Sequence, residues 1–261
     1  MRGLGGSDSK ENCVFRLDDR VALVTGAAGG VGSEVARTFA RQGARLVLAD
    51  LNREGLEATR EQVEGEGGVA VCAAFDVTDH AACLSTIAGA EKEVGPVDIL
   101  VNNAGGTRGR WPTSFLETPQ EDWADLMDIN LTGAFNCTRA VAGGMSQRGY
   151  GRIVSVSSDA ARAGNRGSSI YGAAKAGMEG FMRTLAKELG RRGVTANSVV
   201  LGLIDTVPAE FLEQSGAADR YVTGRVGTAA DVAAAILYLV SEEASWVTGH
   251  SLVVNGGGTD R

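Results

Sequence analysis

Side chains that build metal sites or disulfide frameworks are scarce in this chain. Its 261 residues include four cysteines and two histidines. Cys13, Cys72, Cys83 and Cys137 form no C-x-x-C pair, and neither His80 nor His250 stands at a zinc-ligand spacing from them, so no metal site and no disulfide framework is expected. No run of about 18 apolar residues occurs, which leaves no helix able to span a bilayer. Met1 to Arg16 is glycine, serine and charge, without the apolar stretch of about 7–15 residues of a signal peptide; it reads as a flexible extension. Basic residues are in deficit, with 25 Lys plus Arg against 32 Asp plus Glu and a net charge of −7. Nucleic acid and anionic membranes therefore have no electrostatic reason to bind. A cytoplasmic protein acting on a small molecule is the expectation.

Glycine is abundant instead, at 37 residues. Without a collagen period this implies many tight turns and close backbone approaches. Short runs rich in Val, Leu and Ile recur at Val21 to Val24, Leu46 to Ala49, Val69 to Ala74, Ile99 to Val101, Ile153 to Val156, Val194 to Val200 and Leu252 to Val254. They lack period-2 alternation, as strands buried on both faces of a parallel sheet do. Helical segments lie between them, such as Gly32 to Gln42 and Arg53 to Glu64. Met178, Phe181, Met182, Leu185 and Leu189 share one helix face, and Thr228 to Asp231 resembles a capping box. Alternation of this kind predicts βαβ units. No repeat or Pro/Ser-rich linker interrupts it, so residues 17–261 read as one α/β domain with about seven strands and about six helices.

The first strand runs into Thr25-Gly26-Ala27-Ala28-Gly29-Gly30-Val31-Gly32 and then a helix. Such a loop lets backbone approach a pyrophosphate, and the helix N-terminus offers it free N–H groups and partial positive charge. Asp50 ends the second strand, 18 residues after Gly32. A carboxylate there accepts ribose hydroxyls and repels a 2′-phosphate, which favours NAD over NADP; a solvated helix-cap aspartate is the plainer alternative. Arg53, close by, is the one nearby residue suited to a 2′-phosphate.

Two further motifs follow in order, Asn102-Asn103-Ala104-Gly105 after the fourth strand and Tyr171-x-x-x-Lys175. With the glycine loop they resemble the short-chain dehydrogenase/reductase family, from about Phe15 to Gly258. The resemblance implies a single-domain, Rossmann-like, doubly wound parallel sheet. Independently of it, Tyr171 and Lys175 lie one helical turn apart on the buried stripe that continues through Met178. A buried ammonium there would favour the phenolate and lower the tyrosine pKa toward that of a general base; a snorkelling lysine is the bland reading.

The resemblance assigns Tyr171 proton transfer to or from the reacting oxygen. Lys175 would also hold the nicotinamide ribose, Ser158 would hydrogen-bond the reacting oxygen, and Asn130 would help hold Lys175 through water. It assigns cofactor contacts to Gly26, Gly30, Val31, Gly32, Asp50, Leu51, Asp76, Val77, Asn103, Ala104 and Gly105. In Leu201-Gly202-Leu203-Ile204-Asp205-Thr206 it assigns Gly202, Ile204 and Thr206 to the nicotinamide end. Leu201 stands where the family usually has proline, which predicts a looser or reshaped turn. Arg108, Arg110, Arg162 and Arg166 near the pocket mouth suit an acidic substrate or simply a solvated loop. Trp111 would stack on substrate or pack its loop, and residues 206–221 read as a mobile lid.

The expectation is an NAD-dependent enzyme interconverting a secondary alcohol and a ketone. An NADPH-dependent 3-oxoacyl-thioester reductase and a non-catalytic NAD-binding sensor are the alternatives. The family's habit implies a homotetramer built through the Tyr171 helix and the C-terminal strand and helix.

Overall fold

The computed structural model describes residues 14–258 apart from 108, 110–112, 207–209, 211 and 213–215. Seven strands, β1 (Val21–Thr25), β2 (Arg45–Asp50), β3 (Val69–Ala74), β4 (Ile99–Asn102), β5 (Gly151–Ser158), β6 (Val194–Leu201) and β7 (Ser251–Val254), form one sheet in the order β3-β2-β1-β4-β5-β6-β7. Every pairing is parallel. Each strand lies within two residues of its expected bounds, because runs buried on both faces have sharp polar edges.

Helices cover both faces. Along β1, Ala22 and Val24 face a core with Phe39 of α1 (Gly30–Arg41), Leu56 of α2 (Arg53–Gly65) and Ile236 of α7 (Ala229–Val240). Val21 and Leu23 face a second core with Ile87 of α3 (His80–Val94), Met145 of α5 (Gly133–Arg148) and Met182 of α6 (Ser169–Leu189). A short α4 (Glu121–Met127) continues through a π-helical turn (Asp128–Thr132) into α5. The capping box at α7 is present: Thr228 Oγ1 accepts the Asp231 N–H at 3.2 Å, and Asp231 accepts the Thr228 N–H at 2.8 Å.

At the N-terminal end, Phe15 packs edge-on against Tyr238 with ring centroids 6.1 Å apart, and its N–H donates to Glu243 at 2.8 Å; the rest of the expected extension, residues 1–13, lies outside the described residues. Successive chain halves wind away from β1 in opposite directions, β2–β3 one way and β4–β7 the other. The crevice where strand order reverses, at the carboxyl ends of β1 and β4, is where such sheets bind ligands. Among the described residues no helix is long and apolar enough to cross a membrane.

Candidate active site

A cleft of about 400 Å³ opens at that switch point. Gly26, Gly30, Val31, Gly32, Asp50, Leu51, Asp76, Val77, Asn103, Ala104, Gly105 and Thr206 all line it. Sequence reasoning missed three of its walls, Gly29, Phe75 and Ile129; apolar or glycine neighbours of a motif carry no signal of their own. Gly202 and Ile204 lie outside it, Ile204 in a neighbouring cavity beside Leu203 and Gly227.

The glycine loop is shaped by its contacts. Gly26 has φ +67°, and a Cβ there would stand 2.7 Å from Asn103 Nδ2, so a side chain is excluded by both conformation and space. Asn103 Nδ2 donates to the carbonyls of Thr25 (2.9 Å) and Gly26 (3.2 Å), while the N–H groups of Asn103 and Ala104 both reach Thr25 Oγ1 at 3.0 Å. These bonds lash the strap after β4 to the end of β1. The α1 cap, Gly29, makes no side-chain bond, which leaves the first amides of the helix, at residues lining the cleft, without a side-chain cap. Asp50 accepts from the Ala28 N–H at 3.2 Å and the Asn52 N–H at 3.0 Å. Asp76 accepts from the backbone and the hydroxyl of Thr78, each at 2.8 Å.

Beyond Gly105 the cleft meets the expected acid–base residues. A Cβ on Gly105 would stand 2.7 Å from Asn130 Oδ1 and 3.1 Å from Lys175 Nζ, so backbone passes closely over both side chains. Asn130 is fully buried on the π-helical turn. It clasps Gly106, accepting its N–H and donating to its carbonyl at 2.8 Å each, and donates to the Leu126 carbonyl at 3.0 Å. Its direct partner is thus the strap.

Lys175 is buried as expected, and its Nζ donates to the Val156 carbonyl at 2.9 Å. Burial lowers its pKa to about 8, since a low-dielectric setting disfavours the ammonium. Tyr171 lies beside Ser158, whose hydroxyl favours its phenolate form. Burial pushes the phenol above its ordinary range, and the neighbouring Ser158 hydroxyl pulls the other way. The expected lowering by Lys175 is therefore corrected: Nζ is turned to Val156, 5.7 Å from the Tyr171 ring centre, and desolvation dominates.

Leu201 does not loosen its turn. It ends β6 buried, in register with Ser158 and Val254. The next residues are tied down: the Leu203 N–H donates to the Tyr221 hydroxyl at 2.7 Å, the Gly227 N–H to the Leu203 carbonyl at 3.0 Å, and the Asp205 N–H to the Gly227 carbonyl at 2.9 Å. Of the expected lid, much lies outside the described residues, as do Arg108, Arg110 and Trp111. Arg166 is exposed, and Arg162 is held by Glu179 at 3.0 Å. A second cavity of about 240 Å³ runs from Tyr171 past Ser168 and Ile170 to Thr107, Thr113 and Leu126. Among the described residues no group of three or more His, Cys, Asp or Glu side chains is placed to hold a metal ion.

The family model described as enoyl-(acyl carrier protein) reductase matches residues 26–259. The 3-oxoacyl-[acyl-carrier-protein] reductase FabG of Escherichia coli K12 is 36% identical over 246 residues, 93% of this chain and 98% of that protein. Subunit BbsD of the (2S)-[(R)-hydroxy(phenyl)methyl]succinyl-CoA dehydrogenase of Thauera aromatica is 38% identical over 244 residues, 92% of this chain and 97% of its own length. Among solved structures, a Sinorhizobium meliloti 1021 protein assigned to the short-chain alcohol dehydrogenases superposes with a TM-score of 0.88 at 33% identity, covering 94% of this chain and 98% of its own.

Proposed function

The chain belongs to the short-chain dehydrogenase/reductase family of oxidoreductases, and we propose that it interconverts a secondary alcohol and a ketone with NAD. The observation that carries this reading is the grouping of Tyr171 beside Ser158 with a buried Lys175, its Nζ 5.7 Å from the Tyr171 ring centre, at the end of the cleft. The cleft residues fit a dinucleotide: side-chain-free backbone at Gly26 and Gly30, uncapped amides at the start of α1, and an acid at the end of β2. When bound, nicotinamide supplies the hydride acceptor or donor.

The protein's own residues move the proton. In oxidation Tyr171 accepts the proton of the alcohol hydroxyl; in reduction it returns one to the carbonyl oxygen. Ser158 hydrogen-bonds the same oxygen and keeps it directed at Tyr171. Lys175, its Nζ beneath Gly105 and donating to the Val156 carbonyl at 2.9 Å, would hold the nicotinamide ribose when cofactor is bound. Asn130 holds the strap over Lys175 and so keeps the end of the cleft closed around these groups.

The names of the FabG and BbsD relatives favour a second reading, a 3-oxo- or 3-hydroxyacyl thioester as substrate; that reading goes with NADPH as the reductant. Asp50 at the cleft favours NAD. The acidic-substrate expectation loses Arg162, whose charge Glu179 neutralises. A homotetramer is the assembly we infer. It is supported by the half-exposed Phe135–Phe181 pair on α5 and α6, with ring centroids 4.6 Å apart, and by Trp246, 98% exposed beside β7; sedimentation equilibrium checks it.

Reduced-nicotinamide absorbance tests the function, using NAD⁺ or NADP⁺ and a panel of steroid, sugar, hydroxy-acid and hydroxyacyl-thioester alcohols. Turnover with NAD⁺ that Tyr171→Phe reduces by about 10²–10⁴-fold is expected. Equal turnover in the variant would sink the reading. Tight NADH binding without turnover across the panel would favour a sensor instead.

A further inference from the structure

Glu179 lies one turn beyond Lys175 on α6, with its carboxylate in the interior and the residue only 5% exposed. Proton transfer by Tyr171 calls for no carboxylate there, and a buried one is costly unless its partners hold it. Those partners belong mainly to one short segment. Glu179 Oε1 accepts from the Ser157 hydroxyl at 2.9 Å, and Oε2 accepts from Arg162 Nε at 3.3 Å and Nη2 at 3.0 Å. Arg183 on α6 adds a charge contact 4.0 Å from Oε2.

Ser157 directly precedes Ser158. Arg162 directly follows the 3-10 turn Asp159–Ala161, whose Ala160 N–H donates to the Ser158 hydroxyl at 3.3 Å. The turn is internally stiff, because the N–H groups of Arg162 and Ala163 both donate to the Asp159 carbonyl, at 2.9 and 2.8 Å. One carboxylate thus grips the Ser158 segment on both sides and ties it to the helix that bears Tyr171 and Lys175. The stretch from Arg162 to Arg166 is exposed, and the turn is held besides by Asn255 Nδ2, which donates to Asp159 at 3.1 Å.

We propose that Glu179 is a positioning residue that holds Ser158 against Tyr171 by anchoring Ser157 and Arg162 to α6. The proposal rests on the reading of Ser158 and Tyr171 as the proton-handling pair. It also gives Arg162 a different task from substrate binding. A carboxylate suits the role because each of its oxygens accepts, one for each side of the segment. A glutamine offers only one accepting oxygen and an NH₂ that meets either Ser157 or Arg162, so it keeps part of the grip; a leucine keeps none.

The test compares the full-length native protein with Glu179→Gln, Glu179→Leu and Arg162→Met. Two readouts are used: turnover of the panel alcohol that the native protein oxidises fastest, and the ultraviolet phenolate titration of Tyr171 without substrate. The latter is isolated by subtracting the same protein carrying Tyr171→Phe, because the chain has four tyrosines and Tyr150, pushed up to about 12 by burial, titrates separately. With Ser158 drawn away from Tyr171, the phenol should ionise at higher pH in Glu179→Leu and by a smaller increment in Glu179→Gln. The leucine variant should lose about 10²-fold in kcat, as an ångström-scale misplacement of a reacting group does, with the KM for the cofactor unchanged.

A folded Glu179→Leu protein with native kcat and a native Tyr171 titration overturns the proposal. If that variant does not fold, Arg162→Met decides: its Tyr171 titration must move the same way, and an unmoved one overturns the proposal. The two readings fail separately. Full turnover in Tyr171→Phe would refute the role of Tyr171, while the substrate-free titration still judges whether Glu179 governs the Ser158–Tyr171 contact.

Discussion

Asp50 and Ala28 are joined by a hydrogen bond of 3.2 Å from the Ala28 N–H to the carboxylate, across the mouth of the glycine loop. That contact holds a negative charge at the cleft, with the Asn52 N–H on the other oxygen at 3.0 Å. The native protein should bind NAD more tightly than NADP. Asp50→Ser should weaken NAD by roughly 10–100-fold, the worth of a charge-assisted hydrogen bond of about 1.5–3 kcal/mol, and admit NADP. Titration with each oxidised cofactor, followed by intrinsic fluorescence, measures both. Tighter binding of NADP by the native protein would overturn the assignment of Asp50.

Lys175 makes stability depend on pH in a definite direction. Its ammonium titrates at 10.5 in the unfolded chain and at about 8 when folded. Between those values the unfolded chain binds more protons, so stability rises with pH; below about 8 the cost of burying the charge is felt in full. Tyr150 and Tyr171, both raised by burial, act with the opposite sign, but only above about pH 10. Urea unfolding at a series of pH values should show the native protein gaining on Lys175→Met from about pH 8 upward, by an amount on the order of 3 kcal/mol. A difference that does not change with pH would mean that Lys175 is not charged and desolvated as described.

Gly26 offers a test of the cofactor loop itself. Its φ of +67° disfavours any side chain, and the added Cβ would press on the Asn103 amide that lashes the strap to β1. Gly26→Ala should lose about 1–2 kcal/mol of stability and, by displacing Asn103, at least tenfold in cofactor affinity. Thermal melts with and without NAD report the two effects separately. Stabilisation by NAD that matches the native protein's would show that Asn103 does not shape the cleft.

Most of the architecture was legible in the residue order. Strand edges stood out because a doubly covered parallel strand is apolar on both faces, and the Thr228–Asp231 capping box is a local motif that needs no tertiary context. The expected cofactor residues that share the cleft could be grouped for a related reason: Gly26, Asp50, Asp76 and Asn103 each follow or end a strand, and a parallel sheet brings such strand ends to one edge. Leu201 was misleading because the restraint on its turn comes from Tyr221 and Gly227, far along the chain. Asn130 was singled out, but its hydrogen bonds to Gly106 were not foreseen. Glu179 escaped notice although a charged residue one turn beyond a buried lysine, on the same helix face, was a signal that could have been read.

The sequence by itself determined the strand and helix pattern, the glycine loop, the acid that follows it and the one-turn spacing of Tyr171 and Lys175, since each depends on neighbours within a few residues. Only the tertiary structure decided how charge and protons are held. It turned Lys175 toward the Val156 carbonyl, let desolvation outweigh the Ser158 hydroxyl at Tyr171, and set Glu179 between Ser157 and Arg162. Those outcomes are sums over groups distant in sequence, whose distances and burial exist only once the sheet has closed against its helices.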